Sequence, residues 1–137
     1  MTVSRYDATQ CSVAINGIPV TRFGAGDMIT ATKTNNNATT TTDAMGNGQM
    51  AIANDDLGTI TINVDPASKA YKEILEMAPK NVSVAIRVVT PFEIVSDPAA
   101  VLQKTPEVAA GAGYPTRSCV FECAAYDVSP TSFDYLS

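Results

Sequence analysis

The chain has 137 residues, a net charge of −5, a 45% hydrophobic fraction and no histidine. That length suits one domain with one core, and the apolar fraction is ordinary for a globular protein, which excludes wholesale disorder. A general nucleic-acid binder gathers Lys and Arg against phosphates, whereas here nine scattered basic residues face fourteen acidic ones. Such an acidic surface instead suits a protein past which DNA slides without adsorbing.

Cys11, Cys119 and Cys123 cannot all pair within one chain and match no common zinc spacing, so reduced thiols are expected. Cys119 and Cys123 flank Phe121 and share a strand face with it, which reads as core packing. Residues Met1 to Asp7 lack the apolar stretch of a signal peptide, and no run reaches the ~20 apolar residues of a membrane helix. The expectation is a protein kept in a cytoplasm, away from membranes.

In chain order, the alternation of Cys11, Val13 and Ile15 with polar or small residues predicts a strand. Asn16-Gly17 supplies a hairpin turn, and Ile18 to Arg22 returns as a short strand best placed at an edge, because Pro19 has no amide to donate. Gly24 and Gly26 allow a bend or bulge before a strand from Met28 to about Thr34. The tract Thr34 to Asp43 is almost wholly amide and hydroxyl. It offers a core nothing and predicts an exposed loop or hairpin tip, extended once a neighbour supplies hydrogen bonds.

Gly46-Asn47-Gly48 punctuates the return, Gln49 to Asn54 leads to a turn at Asp55-Asp56, and Leu57 to Val64 is the cleanest strand in the chain. Asp65 and Pro66 start a helix of about three turns as cap and first residue; Ala67, Ala70, Tyr71, Ile74, Leu75 and Ala78 form its apolar stripe, and Pro79 stops it. Val82, Val84, Ile86 and Val88 mark another strand, with Arg87 on its solvent side. Phe92 to Val95 pairs back, Asp97 to Gln103 reads equally as short helix or strand, and Pro106 to Pro115 is a loop. Ser118 to Ala125 then closes the sheet, and the tail from Ser129 carries Phe133 and Tyr135 without a regular pattern. Strands, one helix, then more strands, without βαβ alternation, predict a single mainly β domain over 1–137. Its architecture is an antiparallel β-sandwich or open barrel with one packed α-helix.

Chemistry is hard to place on this chain. Without histidine the commonest general base, the usual triads and most catalytic zinc sites are gone. Gly24-Ala25-Gly26 lacks the third glycine of a dinucleotide loop and opens no helix, and Asp55-Asp56 reads as a solvated turn rather than a cation site. No catalytic, cofactor or metal residue is named, and an enzyme is not expected. A monomeric carbohydrate-binding module stacking sugars on Tyr6, Tyr114 or Tyr126 is the alternative, although the chain has no tryptophan.

The run Phe23-Gly24-Ala25-Gly26-Asp27-Met28-Ile29-Thr30, the polar tract, Gly46-Asn47-Gly48 and Asp55-Asp56-Leu57-Gly58-Thr59-Ile60-Thr61-Ile62 together resemble the tail tube proteins of contractile-tailed bacteriophages, relatives of the type VI secretion tube protein. Tyr6-Asp7 and Val13 to Gly17 look like that family's start, Ser68 to Leu75 its single helix, and Ala100 to Pro106 its segment before the last strand. Each motif is loose; their order and spacing carry the resemblance.

It implies a subunit of hexameric rings stacked into a tube inside a contractile sheath, through which DNA is ejected without specific binding. Partners would be copies of itself, the sheath protein, and baseplate or initiator and terminator proteins. The location would be the virion tail, assembled in the host cytoplasm, and no cofactor is implied. By position, an assembly loop at about 34–48 would stack rings through Thr34, Asn35, Asn36, Asn37, Thr39, Thr40, Thr41, Thr42, Asp43 and Met45. Arg5, Tyr6 and Asp7 would assist.

Overall fold

A computed structural model describes residues 7–20, 22–23, 28–77 and 82–130. Ser12–Ile15 (β1) returns to Ile18–Pro19 (β2) through Asn16 (φ 52°) and Gly17 (φ 83°). Two successive left-handed residues match the twist of the flanking strands, which is why Asn-Gly turns here so tightly. β2 pairs with β1 alone, so the missing amide of Pro19 costs no ladder bond. Gly24, Gly26 and Asp27 lie outside the described residues.

Ile29–Lys33 (β3) pairs antiparallel with Gly58–Val64 (β6), matching Ile29 with Ile62 and Ala31 with Ile60. Between them, Ala38–Thr42 (β4) and Gly48–Ile52 (β5) form a separate two-stranded hairpin. Threonines at period two with isoleucine make β6 half-exposed on one side and fully buried on the other: Ile60, Ile62 and Val64 are all buried. Each such side chain contributes about 1.5–3 kcal/mol of burial.

The helix, Lys69–Met77 (α1), begins later than the sequence suggests. Asp65 does accept a hydrogen bond from the Ala67 amide (2.9 Å), but this closes the turn before the helix; Ser68 is the true cap, its Oγ accepting from the Tyr71 amide three residues on (3.2 Å). Ala70, Tyr71 and Ile74 are buried, with Ala70 and Ile74 bordering the same small apolar pocket as Ile15 and Ile18. Ala67 precedes the helix and is exposed, Leu75 lies at the margin of exposure, and Ala78 and Pro79 fall outside the described residues.

Val84–Val89 (β7), Glu93–Leu102 (β8), Arg117–Cys123 (β9) and Asp127–Pro130 (β10) complete the chain. The pairing path runs β2-β1-β7-β8-β9-β6-β3, all antiparallel, with β10 added to β8. The fold is mainly β with one helix, as the patterning predicts, and the path does not close into a barrel.

Strand β8 turns the corner. One edge follows β7; the other pairs Glu93 to Ser96 with β10 and Ala100 to Leu102 with β9. Between the two halves the ladder slips, Val84 meeting Ala100 but Ile86 meeting Asp97, so β8 carries an extra residue at Pro98-Ala99. Buried Asp97 Oδ1 accepts the Ala99 amide at 2.9 Å and fixes that kink. This resolves the ambiguous 97–103 stretch as strand. It also corrects the expectation that Ser118 to Ala125 closes the sheet: β9 is interior, between β8 and β6, and β3 is the terminal strand.

Cys119, Phe121 and Cys123 of β9 join Ile60, Ile62, Val84, Ile86, Val88, Val13, Ile15 and the helix residues in one core. Arg87 is exposed on the opposite side of β7. The 103–116 loop is pinned at two points. Buried Arg117 donates from Nη1 to the Ala109 carbonyl (2.9 Å), and the Tyr114 hydroxyl donates to Asp65 Oδ1 (2.8 Å).

Candidate functional site

The β4–β5 hairpin is the part of the chain least used by the fold. Every residue of both strands is exposed, and their register, from Ala38 opposite Ile52 to Thr42 opposite Gly48, satisfies only each other. Of the two expectations for this tract, loop or hairpin, Thr39 to Thr42 take the hairpin: they are already extended, because the alternating run Gln49-Met50-Ala51-Ile52 supplies the partner strand within the same chain. Threonine's β-branching favours that pairing over coil.

The base of this arm is fixed by hydrogen bonds rather than by apolar packing. The Thr34 amide donates to the Leu57 carbonyl (3.0 Å), the Ala53 amide to the Asn37 carbonyl (2.8 Å), and Asn35 Nδ2 to Asp55 Oδ2 (3.0 Å). Lys33 Nζ donates to Asn37 Oδ1. Asn36 is exposed in the same segment. Asp55 thus serves as a strut and Asp56 as a bridge, its carbonyl accepting from the Tyr126 amide (2.8 Å).

At the far end Asp43 organises the tip. Its Oδ1 accepts from the amides of Met45 and Asn47, both at 2.9 Å, its Oδ2 accepts from Asn47 Nδ2 at 3.0 Å, and Gly46 supplies the left-handed residue (φ 82°). These bonds, that from the Asn47 side chain foremost, hold the Asp43 carboxyl below its ordinary range. The result is a rigid tip presenting Met45, 86% exposed.

Residues directly opposite in an antiparallel pair share a face, so Ala38, Thr40 and Thr42 lie with Ile52, Met50 and Gly48. Met50 and Ile52 are 65% and 61% exposed. The sequence alone marks Gln49 to Asn54 only as a lead-in to a turn. The four-residue alternation after Gly46-Asn47 was the available signal, masked by its shortness. The hollow along the arm, about 440 Å³, is lined by Thr40, Thr41, Thr42, Gly48, Gln49 and Met50, none of them ionisable. It offers surface, not chemistry.

The remaining candidates sit apart from the arm. Asp7 accepts from the Thr9 amide and hydroxyl (2.9 and 2.7 Å) and so caps the short 3-10 turn Ala8–Gln10; Arg5 and Tyr6 lie outside the described residues. Tyr114, 73% exposed, is tied to Asp65, Tyr126 lies half-buried against Gly58, and Tyr6 is outside the described residues. Among the described residues no three acidic, cysteine or histidine side chains come together as a metal group, and no helix is long and apolar enough to cross a membrane. The three cysteines form no disulfide.

A second surface feature is an open, mostly apolar groove of about 260 Å³ between β3 and β10, lined by Ile29, Ala31, Val88, Val95, Tyr126 and Val128 together with the polar side chains of Thr90 and Glu93. Among the described residues β3 pairs with β6 and β10 with β8, and the other edge of each strand has no ladder partner there.

No family model and no curated protein sequence matches the chain. Solved structures do match it in fold. A cryo-EM structure of the anti-feeding prophage cap, which terminates that particle's tube, superposes with a TM-score of 0.67 at 11% identity over 96% of this chain and 95% of that one. A sheath-tube complex of an extracellular contractile injection system, in its extended state, gives 0.65 at 8% identity over 93% of each. The chain therefore shares, along nearly its whole length, a fold used in contractile injection particles.

Proposed function

We propose that the chain is a structural, non-enzymatic subunit of a contractile tail or injection particle, assembling with copies of itself into stacked rings that form the inner tube. The observation that carries this reading is the β4–β5 arm. A fully exposed hairpin whose strands carry no charge and whose two outer edges are unpaired has no use inside a monomer and is a liability unless a partner covers it. Its stacking residues would be Thr34 to Asn37, Thr39 to Asp43 and Met45, joined by Met50 and Ile52 and assisted by Arg5, Tyr6 and Asp7. The full-length likeness to a tube-terminating cap and a sheath-tube complex supports the setting.

Rings of six, a surrounding sheath, initiator and terminator partners, and passage of DNA belong to the same proposal. An acidic subunit repeated around an axis gives a bore that repels phosphate and so passes DNA without holding it. The likeness to a tube-terminating cap favours one second reading, a subunit that ends a tube rather than extending it. Electron microscopy of the concentrated protein separates the two: tubes are expected for a tube subunit and isolated rings for a terminator. A strict monomer at every concentration and salt would overturn both.

A further inference from the structure

We infer that the β3–β10 groove is the receptor for the β4–β5 arm of a second copy, with Met50 and Ile52 as the side chains that enter it; this rests on the assembly reading above. The groove is an opening in the core, not a separate cleft. Ile29 and Ala31 stand opposite Ile62 and Ile60, on the inward side of β3, yet remain only half-buried among the described residues. Val95 forms part of its floor and Val128, 48% exposed, one wall. At about 260 Å³ it falls below the ~300–1,000 Å³ of small-molecule sites, and its polar side chains are Thr90, Glu93 and Tyr126. It has room for a few side chains.

The arm is complementary in three respects. Its apolar face puts Met50 and Ile52 two residues apart on one strand, a spacing that places both in a groove running along strands. Among the described residues its edges are free, as are those of β3 and β10, and β4, β5 and β3 are each five residues long and β10 four, so backbone pairing along either wall is matched in length. Its strands carry no charge, which matters when copies bearing −5 each must approach, and the groove's only ionisable side chains are Glu93 at the rim and the Tyr126 phenol. The arm's own groove is an unsuitable destination: the arm leaves directly from the end of β3, and its base is bonded to Asp55 and Leu57. A donated arm and a separate receptor on the same subunit allow a head-to-tail contact, which can propagate through successive copies.

The test mixes two separately tagged full-length chains, one bearing Ile52→Cys and the other Val128→Cys, under mild oxidation while assembly is followed by sedimentation. A mixed disulfide within the assembled fraction is expected, and its loss when Thr39→Cys, on the arm's other face, replaces Ile52→Cys. Val128→Glu, at an exposed site that leaves the circular dichroism spectrum native, should abolish assembly. If particles form but the mixed disulfide does not, or Val128→Glu assembles normally, the receptor is elsewhere and the inference falls while the assembly reading stands. An intrachain disulfide in a doubly substituted Ile52→Cys/Val128→Cys monomer would also overturn it, by showing that the arm folds onto its own groove. Failure of the unmodified chain to assemble at any concentration or salt overturns both.

Discussion

A Cβ placed on Gly58 would stand 2.5 Å from Cγ of Tyr126, so the ring lies directly on the backbone where β6 begins. Gly58→Ala must push that ring away, and with it the Tyr126–Asp56 bridge; a loss of about 1–3 kcal/mol is expected in urea unfolding, with circular dichroism of the folded state little changed. The buried thiols behave oppositely to reactive ones. Burial pushes Cys119 up to about 12, and burial followed by the neighbouring Asp97 carboxylate pushes Cys123 up to about 12. Neither should react with a thiol reagent at pH 8 in the native protein, and both should react in urea; native labelling of either would contradict the packing described. Asp65 is held below its ordinary range of 3.8 by the Ala67 amide first, then the Tyr114 hydroxyl and the charge of Arg22. A depressed carboxyl binds its proton less readily folded than unfolded, so its contribution is present above the unfolded value and fades as pH falls below about 4. Asp65→Asn should therefore be less stable than the parent at pH 7, and the gap should narrow at pH 3, as read from urea midpoints.

At the scale of elements, Ser68→Ala tests the cap. It should cost about 1 kcal/mol in urea unfolding by removing the acceptor for the Tyr71 amide, and no loss would mean that Ser68 does not cap the helix. The sequence pointed to Asp65-Pro66 because that pair is a strong start signal, and only the three-dimensional path shows the turn spent before the helix begins. Strands with one buried face were legible wherever alternation ran long enough, as at β6, β7 and β9, since period two is imposed by burial itself. Only the first part of β8, up to Val95, is legible: its kink interrupts the period at Asp97-Pro98, a pair equally at home at a helix start. β10 was missed as well, because Asp127-Val128-Ser129-Pro130 is an edge strand with only Val128 apolar, and its partner Glu93 to Ser96 is distant in sequence. The polar tract was singled out rightly as unneeded by the core, but its pairing depends on Gln49 to Ile52. A run of four alternating residues does not declare itself as a strand.

For the molecule as a whole, the arm and the body are separable in energy. Replacing residues 36–53 by a two-residue Asn-Gly turn removes no core side chain, so thermal unfolding should shift by no more than a few degrees, while sedimentation shows assembly abolished. Cutting only residues 36–42 would instead leave β5 unpaired, and is the poorer experiment. Copies carrying −5 each also repel, and salt screens that repulsion, so assembly should strengthen from low to high ionic strength. The opposite trend would indicate that ion pairs, not the uncharged strands of the arm, make the contact.

The register of β4 on β5 also sets a parity rule for any lengthened arm. Adding one residue to each strand rotates Met50 and Ile52 to the face now held by Thr39 and Thr41, while adding two restores them to their own side at the cost of a longer reach. Natural or designed relatives of this chain should therefore tolerate arm extensions in even steps per strand and reject odd ones. The spacing between neighbouring subunits would then be adjustable only in increments of two residues, about 6.8 Å of antiparallel strand.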